Sequence, residues 1–587
     1  MTRSGVAARA VAVLLIGCIF VVDPGGLAPS GPARFAALAV VLGIGAVVVG
    51  RSSMSPSRAL RVMGRVWLAL LAVIAASALT GADRWHGVFG TPERNLGLLT
   101  WMGFAIAFGV GASLPPRSEH LLAAAATLAV GLLASLAGLE LLGFDPGNTA
   151  WTGGRVGAPF AQSTYLAVAL VVLLPLAAAP AFDRSLSGLR RVATAAIATA
   201  GVLTLVATAA RGPVLGLGVG VMVVLVARGQ RWTGVAAVGA VACTAAVVSM
   251  RRGWDSFGGR IDEWTVGLRG VRASPLLGFG PEGYRDQFPR LVDADYVRAY
   301  GSSVITDRAH NAFIDIALSS GILAAALLGA LWVLVGHSAL RRVREHEASP
   351  TTIGLAAAVV AGLAQQLVLF PLAELDPMIW LFAGALVGNA TEHHHRMALR
   401  DHPARSHLPT VVAAVGVVAM AASSWWNATA AVAEHRLAGS ATFNQAAAEQ
   451  AADRALALRP QSVRLVYAVA LVHLNGPTLR DLDEALSILE AGLVDHPGDP
   501  ALRTEYVFAL VERARRSGLG SDLAAAVDAA ERAAADAPNS PQLLGAHAEA
   551  LRLAGRSDDA REQVGRALDL APEDPELRAL AESIEKS

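Results

Sequence analysis

The stretch 307–315 places ionisable residues directly before a long apolar segment that runs to Val335. If that segment crosses a membrane, His310 and Asn311 lie where the helix emerges into water. Ionisable groups at this depth are costly and usually serve a function. An ordinary imidazole titrates near neutral pH, so His310 could act as a general base on a hydroxyl group. The alternatives are a packing role for His310 and simple helix capping by Asn311 and Asp307.

Two arginines could bind an anion near the same membrane surface. Arg211 lies in a tight turn, 208–213, between two apolar runs, so its side chain should lie at the depth of the lipid headgroups. A guanidinium presents five donors in one plane, which suits a phosphate or a diphosphate. Arg260 could play the same part from a longer charged loop. The alternatives are an arginine that reaches out among lipid headgroups and, for Arg260, an ordinary surface charge.

Other candidate sites are better explained without chemistry. The three histidines at 393–395 invite a metal interpretation, but their arginine-rich surroundings favour a solvated loop. The glycine-rich segment 216–220 lacks the spacing and the lysine of a phosphate-binding loop and favours close helix packing. Cys18 and Cys243 are interpreted as small buried residues. The sequence predicts no metal-ligand cluster, no cofactor, and no serine or cysteine nucleophile.

The composition is that of an integral membrane protein. Hydrophobic residues make up 54% of the 587 residues and charged residues only 16%. Soluble domains are nearer about one quarter charged, so the balance favours a chain that is largely embedded in lipid. The formal net charge of +1 points to no nucleic-acid partner.

About thirteen apolar runs are long enough to cross a bilayer or nearly so. They predict an all-α fold, a polytopic membrane protein with about 12–13 transmembrane helices. The runs lie near 6–22, 34–50, 62–81, 96–113, 119–139, 164–182, 190–209, 212–227, 232–250, 310–336, 352–371, 376–391 and 408–426.

The loops between these runs predict an orientation. Arginines concentrate in alternate loops, and such loops face the cytoplasm. This pattern predicts a multi-pass protein of the cytoplasmic membrane with a cytoplasmic N-terminus. The long loop 251–309 and everything after residue 426 are then expected outside the cytoplasm.

The last part of the chain contains a repeat. Similar Ala- and Leu-rich phrases end at Pro460, Pro497, Pro538 and Pro572, which are 37, 41 and 34 residues apart. A helix–turn–helix unit of about 34 residues that ends in proline resembles the tetratricopeptide repeat. Such units stack into an α-solenoid, and the alternative is an irregular helical bundle. We therefore expect a membrane domain at 1–429 and an external repeat domain at 430–587.

The order of several motifs resembles the O-antigen polymerase and ligase superfamily of bacterial membrane glycosyltransferases. Residues 307–315 with Gly321 resemble the family's D-R-x-H-N-x-x-L-D … G signature, which closes its large external loop. The segment 275–280 resembles the family's P-L-L-G-x-G. Arg260 with Trp264 resembles the start of that loop.

Further segments resemble the family less closely. Residues 208–212 resemble its S-R-G turn, with alanine where serine is usual. Residues 90–99 resemble the G-x-x-x-R-x-x-G-L outer loop of members that carry tetratricopeptide repeats. Residues 161–167 depart from the usual G-N-P-N-x-L-A, because Gln162 and Thr164 stand where asparagines are expected.

The resemblance implies a function and a set of site residues. Members move a glycan from a polyprenyl-diphosphate carrier to an acceptor hydroxyl outside the membrane, with an all-helical fold and without a nucleotide sugar or a metal. Carried over by motif, Arg211 and Arg260 would hold the diphosphate, and His310 would position or deprotonate the acceptor. The residues expected to bind substrate are Arg308, Asn311, Arg94, Asp307 and Trp264.

Several alternatives stay open. Within the enzyme class the acceptor could be a glycan, a lipid or a protein, which separates polymerase, ligase and protein glycosyltransferase. A lipid-linked glycan flippase or exporter should instead carry charges along a path through the membrane. A non-catalytic scaffold that presents the repeats gives no reason for Arg211 and His310 to lie together. The repeat domain could bind the acceptor, a growing polymer or a protein partner.

Overall fold

The structure of the chain is a computed structural model. It describes residues 3–24, 31–52, 57–91, 94–145, 155–230, 255–301, 306–345, 348–389, 408–438 and 445–586. Within these residues every regular element is a helix, which confirms the predicted all-α fold.

Sixteen described α-helices precede the repeated phrases. They are α1 Arg3–Gly17, α2 Pro32–Gly50, α3 Arg58–Thr80, α4 Arg84–Phe89, α5 Leu98–Ala112, α6 Ser118–Leu141, α7 Ser163–Ala178, α8 Gly188–Ala207, α9 Arg211–Ala227, α10 Asp255–Ala273, α11 Tyr284–Leu291, α12 Ala294–Tyr300, α13 Ala312–Arg344, α14 Pro350–Gln365, α15 Asp376–Asn389 and α16 Leu408–Ala438.

Seven described helices are long and apolar enough to cross a membrane: Pro32–Gly50, Arg58–Thr80, Ser118–Leu141, Ser163–Phe182, Gly188–Ala207, Ala312–Arg344 and Thr410–Leu437. Five shorter apolar helices accompany them, at Ser4–Phe20, Leu98–Ala112, Arg211–Ala227, Pro350–Gln365 and Asp376–Gly388. Twelve of the thirteen predicted runs fall on these helices, so the chain is a multi-pass helical membrane protein. The run 232–250, Cys243 and the histidines at 393–395 lie outside the described residues.

Glycines let α9 and α14 approach each other closely. A Cβ atom at Gly216 would lie 2.7 Å from the Cβ of Gln365, and one at Gly220 would lie 2.6 Å from the Cβ of Ala361. A larger residue at either position would push the helices apart. The packing role predicted for 216–220 is therefore confirmed, since small residues are what allow membrane helices to approach this closely.

Helix α13 is broken at Gly321, which the sequence did not predict. Gly321 has φ 84° and ψ 170°, a conformation that L side chains rarely adopt. The break leaves the Leu318 and Ser319 carbonyls without helical partners, and the N–H groups of Phe279 and Gly280 donate to them at 2.8 and 3.0 Å. The segment 275–280 thus supplies the hydrogen bonds that the broken helix lacks. This docking holds the loop that carries α10, α11 and α12 against the membrane helices.

The last eight helices form an array. They are α17 Gln445–Leu458, α18 Val463–Leu474, α19 Leu479–Asp495, α20 Pro500–Ser517, α21 Gly520–Asp536, α22 Pro541–Leu553, α23 Ser557–Leu570 and α24 Pro575–Glu585. Each packs against the next in sequence. Proline opens three of these helices, at the first helical position where its missing N–H costs nothing. The array is helical as expected; its identity as tetratricopeptide repeats stays a prediction.

The array rests on the loop helices α11 and α12. The guanidinium of Arg290 lies 2.6 Å from the carboxylate of Asp536. The side-chain amide of Asn539 donates to the backbone carbonyl of Val292 at 2.9 Å. These contacts join parts of the chain that are about 250 residues apart in sequence. Helix α16 continues through residue 430 to Ala438 and leads into the array.

Candidate functional site

Phe370 forms the floor of the candidate site. Its ring is buried, and the Arg94 guanidinium carbon lies 4.7 Å from the ring centroid. The Arg308 guanidinium carbon lies 5.9 Å from the same centroid, and the His310 ring meets it edge-on at 5.2 Å. Cations are attracted to the face of an aromatic ring. The structure thus brings three of the predicted site residues around one side chain that the sequence did not single out.

Arg308 is held in a buried ion pair. Its guanidinium donates to the carboxylate of Glu282, and the side chains of the two residues are 6% and 3% exposed. Glu282 also accepts the backbone N–H of Leu96 at 2.7 Å. A buried charge of this kind needs its partner, because an unpaired one is strongly destabilising. The pair ties the signature stretch to the outer loop that contains Arg94.

Arg94 forms a second ion pair, with Asp307. Its Nε and Nη2 atoms donate to the two carboxylate oxygens at 2.5 and 3.1 Å, and Nη1 donates to the Tyr165 hydroxyl at 2.8 Å. Burial alone would raise the pKa of the Asp307 carboxyl, but the charge and hydrogen bonds of Arg94, with the charges of Arg308 and His310, together hold that pKa below its usual range. Asp307 therefore pairs with Arg94 and does not cap the following helix.

His310 and Arg260 share one carboxylate. Nδ1 of His310 lies 3.1 Å from Oε2 of Glu263, and Nη1 of Arg260 donates to the same oxygen at 2.7 Å. Burial would raise the pKa of Glu263, but His310 and Arg260 together lower it. Two of the three residues predicted to be catalytic thus meet at Glu263. The sequence offered one signal for this residue, its spacing three positions after Arg260 on a helix.

Asn311 caps helix α13. Its side-chain oxygen accepts the N–H groups of Phe313 and Ile314 at 3.0 and 3.2 Å. Its side-chain nitrogen donates to the carbonyl of Leu367 at 2.9 Å. The capping interpretation of Asn311 is confirmed, and the cap also fixes the stretch that carries His310 against the segment 366–370.

Arg211 opens helix α9, and the start of that helix touches the same segment. A Cβ atom at Gly212 would lie 3.1 Å from Cγ2 of Val368. The N–H of Ala312 donates to the carbonyl of Gln366 at 2.9 Å. The segment 366–370 thus adjoins both the helix start that carries Arg211 and the stretch that carries His310.

Trp264 follows Glu263 on helix α10. Its indole N–H is buried, and no hydrogen-bond partner for it occurs among the residues that the structure describes. An unpaired buried donor costs about 1–3 kcal/mol. The indole N–H of Trp264, like the buried Nε of Arg308, is therefore a donor of the predicted substrate-binding set for which the described residues provide no acceptor.

A second polar cluster lies between the membrane helices and the array. Ligating atoms of Asp83, His86 and His496 all lie within 4.8 Å of one another, and the three residues are buried. The sequence predicted no metal-ligand cluster. His496 is 413 residues from Asp83 along the chain, so no local spacing could have revealed the group.

The arrangement around Phe370 can stabilise negative charge and move a proton. Several guanidinium groups meet carboxylates and an imidazole next to the start of membrane helices. Such preorganised donors stabilise charge that develops in a reaction, and an imidazole held by a carboxylate is oriented as a base.

Comparison with known proteins gives one family. The family model described as O-antigen ligase matches residues 194–329. This range includes Arg211, Arg260 and the signature stretch, and it leaves out Arg94 and the helical array. No curated protein matches the chain. Residues 194–329 are therefore similar to the O-antigen ligase family, as the motifs indicated.

Proposed function

We propose that the protein transfers a glycan from a polyprenyl-diphosphate carrier to an acceptor hydroxyl at the outer face of the cytoplasmic membrane. The family assignment supports a membrane role in polysaccharide assembly. One observation supports the finer proposal: Arg260 and His310 both contact Glu263. They lie beside the segment 366–370, which also contacts the start of α9, the helix that Arg211 opens.

In the proposed reaction the acceptor oxygen attacks the anomeric carbon of the first sugar. His310 takes the hydroxyl proton, and Glu263 stabilises the imidazolium that forms. The bond between the anomeric carbon and the phosphate oxygen breaks, and the electron pair leaves with the diphosphate. Arg211 and Arg260 stabilise that charge. Attack opposite the leaving group inverts the anomeric carbon.

A cavity between the loop helices and the array supports a role for the array in acceptor binding. Its volume is about 360 Å³, and it lies between the external loop and the array. Tyr296 and Val297 line it from the loop, and Tyr467, Arg503 and Phe508 line it from the array. Aromatic faces combined with charged and amide groups suit a sugar chain. We propose that the growing polymer or the acceptor glycan lies there.

The test is glycan transfer by purified, full-length protein in detergent, from a polyprenyl-diphosphate oligosaccharide. Arg211→Ala should lower the rate by about 10²–10³-fold, the loss typical of one charge-stabilising donor. His310→Ala should lower it by about 10²–10⁴-fold. Matched controls are Arg190→Ala and His120→Ala, whose side chains are exposed at other helix starts. Equal activity in the site variants and the controls would refute the assigned site.

The products separate the remaining alternatives. A longer version of the donor glycan indicates a polymerase, whereas a glycan on a new lipid or protein indicates a ligase or a protein glycosyltransferase. Transport of the intact donor across vesicles, without transfer, would support the flippase or exporter alternative. Deletion of 430–587 should abolish transfer to the acceptor if the array binds it. Full transfer by the shortened, membrane-inserted protein would refute that role and leave the scaffold alternative for the array.

A further inference from the structure

The cluster of Asp83, His86 and His496 joins the membrane part to the helical array. Asp83 precedes α4, and its Oδ1 accepts the backbone N–H of His86 at 2.9 Å. His496 follows α19 and is fully buried, with an exposure of 0%. Gly498 brings the chain close to the external loop, because a Cβ there would lie 2.7 Å from the Cβ of Asp286.

The hydrogen bonds of His496 leave one atom facing a second acceptor. Its Nε2 lies 2.8 Å from the backbone carbonyl of Gln461. A carbonyl can only accept, so Nε2 carries the hydrogen, and Nδ1 of the neutral ring is a bare lone pair. That Nδ1 lies 2.5 Å from Oδ2 of Asp83, which also only accepts when ionised. A proton or a metal ion must therefore lie between the two atoms.

The ring of His86 faces the same oxygen. Its Nδ1 lies 2.7 Å from Oδ2 of Asp83. The two imidazole rings stack with their centroids 4.5 Å apart and their planes 22° apart. With protons alone, a protonated His496 and the Nδ1–H of His86 would both have to donate to this one oxygen. A single divalent ion bound to both Nδ1 atoms and the carboxylate would satisfy all three groups at once.

We propose that Asp83, His86 and His496 bind a divalent transition-metal ion, with Zn²⁺ as the best fit, and that the ion ties the array to the membrane part. Two imidazoles and a carboxylate are a usual donor set for zinc. The bond from Nε2 of His496 to the Gln461 carbonyl is the outer contact that orients a ligating imidazole. Water or the nearby carboxylate of Asp286 would occupy the fourth coordination position of the ion.

The geometry needs only a small adjustment to admit the ion. Tetrahedral bonds of about 2.0–2.1 Å place ligand atoms about 3.3 Å apart. The two separations at Asp83 are 2.5 and 2.7 Å, so each must widen by less than about 1 Å. One possible ligand atom from each of the three side chains already lies within 4.8 Å of the other two. This site is separate from the residues around Phe370, and the inference does not depend on the transferase reaction.

The test is the metal content of the full-length protein, purified without a histidine tag. Every protein tested also has the substitutions His393→Gln, His394→Gln and His395→Gln, so that the three consecutive histidines bind no metal. After removal of metal with a chelator and titration with ZnCl₂, we expect about one tightly bound zinc ion per chain. CoCl₂ in place of zinc should give the visible absorption bands of a four-coordinate ion.

Two variants and one control decide the outcome. His496→Gln and His86→Gln should each lower the zinc affinity by at least about 10²-fold. The control is His435→Gln, which removes an exposed histidine that pairs with one carboxylate, Asp23, at 2.6 Å. Zinc binding should be unchanged there. Absence of stoichiometric zinc and of the cobalt bands in the wild-type background would overturn the proposal, even if a variant failed to fold. Equal affinity in all four proteins would overturn it as well.

Discussion

A single methyl group added at Gly321 should detach the external loop from the membrane helices. Gly321 has φ 84° and ψ 170° at the break in α13. A Cβ there would collide with the backbone carbonyl of Leu276. Because the obstacle is backbone on both sides, no side-chain rotation can relieve the contact. In Gly321→Ala the segment 275–280 must therefore withdraw.

The magnitude follows from the contacts at the break. An alanine forced into this region of φ and ψ costs about 1–3 kcal/mol. Withdrawal of the segment also loses three backbone hydrogen bonds, from the N–H groups of Phe279, Gly280 and Ile322, at about 1 kcal/mol each. The sum is about 4–6 kcal/mol. Since 1.4 kcal/mol is a factor of ten, local opening should become at least about 10²-fold more populated.

Hydrogen exchange measures this opening directly, because amides exchange when their hydrogen bonds open. Peptides that contain Phe279 and Gly280 should exchange at least about 10²-fold faster in Gly321→Ala. The control is Gly336→Ala on the same helix, where an added Cβ meets nothing within 4 Å. That change should leave the same peptides protected and stabilise the helix by about 0.5–1 kcal/mol. Unchanged protection of the loop peptides in Gly321→Ala would refute the docking argument.

The ion pairs of the site give three further predictions. Glu282→Gln leaves the Arg308 charge buried and unpaired, so thermal unfolding should report a loss of about 3–5 kcal/mol; a change below about 1 kcal/mol would contradict the pair's structural role. The pKa of Asp307 is lowered, because Arg94, Arg308 and His310 together outweigh the effect of burial. The contribution of Asp307 to stability is therefore present above the usual value of 3.8 and is lost as pH falls through the folded value. The stability gap between wild type and Asp307→Asn should therefore stay constant between about pH 5 and 8 and close only below that range; a gap that closes near neutral pH would show the assignment to be wrong. Glu263→Gln should lower kcat while protein stability changes little, and an unchanged kcat would argue against the proposed base.

The sequence predicted the fold well because the signals for it are local. Apolar runs of bilayer length, arginine-rich loops and helical periodicity each depend on residues close together in the chain. The cap at Asn311 is of the same kind, since its partners lie two and three residues away. The sequence did not predict the break at Gly321, because both halves of α13 are apolar and hydropathy does not report the backbone conformation.

The partners of the site residues could not be predicted in the same way. Glu282 reaches Arg308 across 26 residues, and Arg94 reaches Asp307 across 213. Neither spacing belongs to a helix or a turn, so only the fold brings these charges together. The sequence alone does not distinguish a carboxylate that is buried in a loop from one that is exposed. Arg94, Arg308 and Asp307 were found because motifs carried them, whereas Glu282, which holds Arg308, belongs to no motif.

The exposed fractions of the Arg308, Arg94 and Arg260 side chains indicate which of them can bind a substrate. The side chain of Arg308 is 6% exposed and committed to Glu282, so it cannot reach a lipid-linked diphosphate without leaving an unpaired buried charge behind. Arg94 is 24% exposed and makes contacts with both a carboxylate and a hydroxyl. Arg260 is 34% exposed and belongs to a helix of the external loop. Exchange of its bond to Glu263 for one to a phosphate oxygen costs little, since both are charge-assisted contacts. We therefore infer that Arg308 and Arg94 position the stretch that carries His310, and that Arg260 is the arginine of the three that meets the substrate.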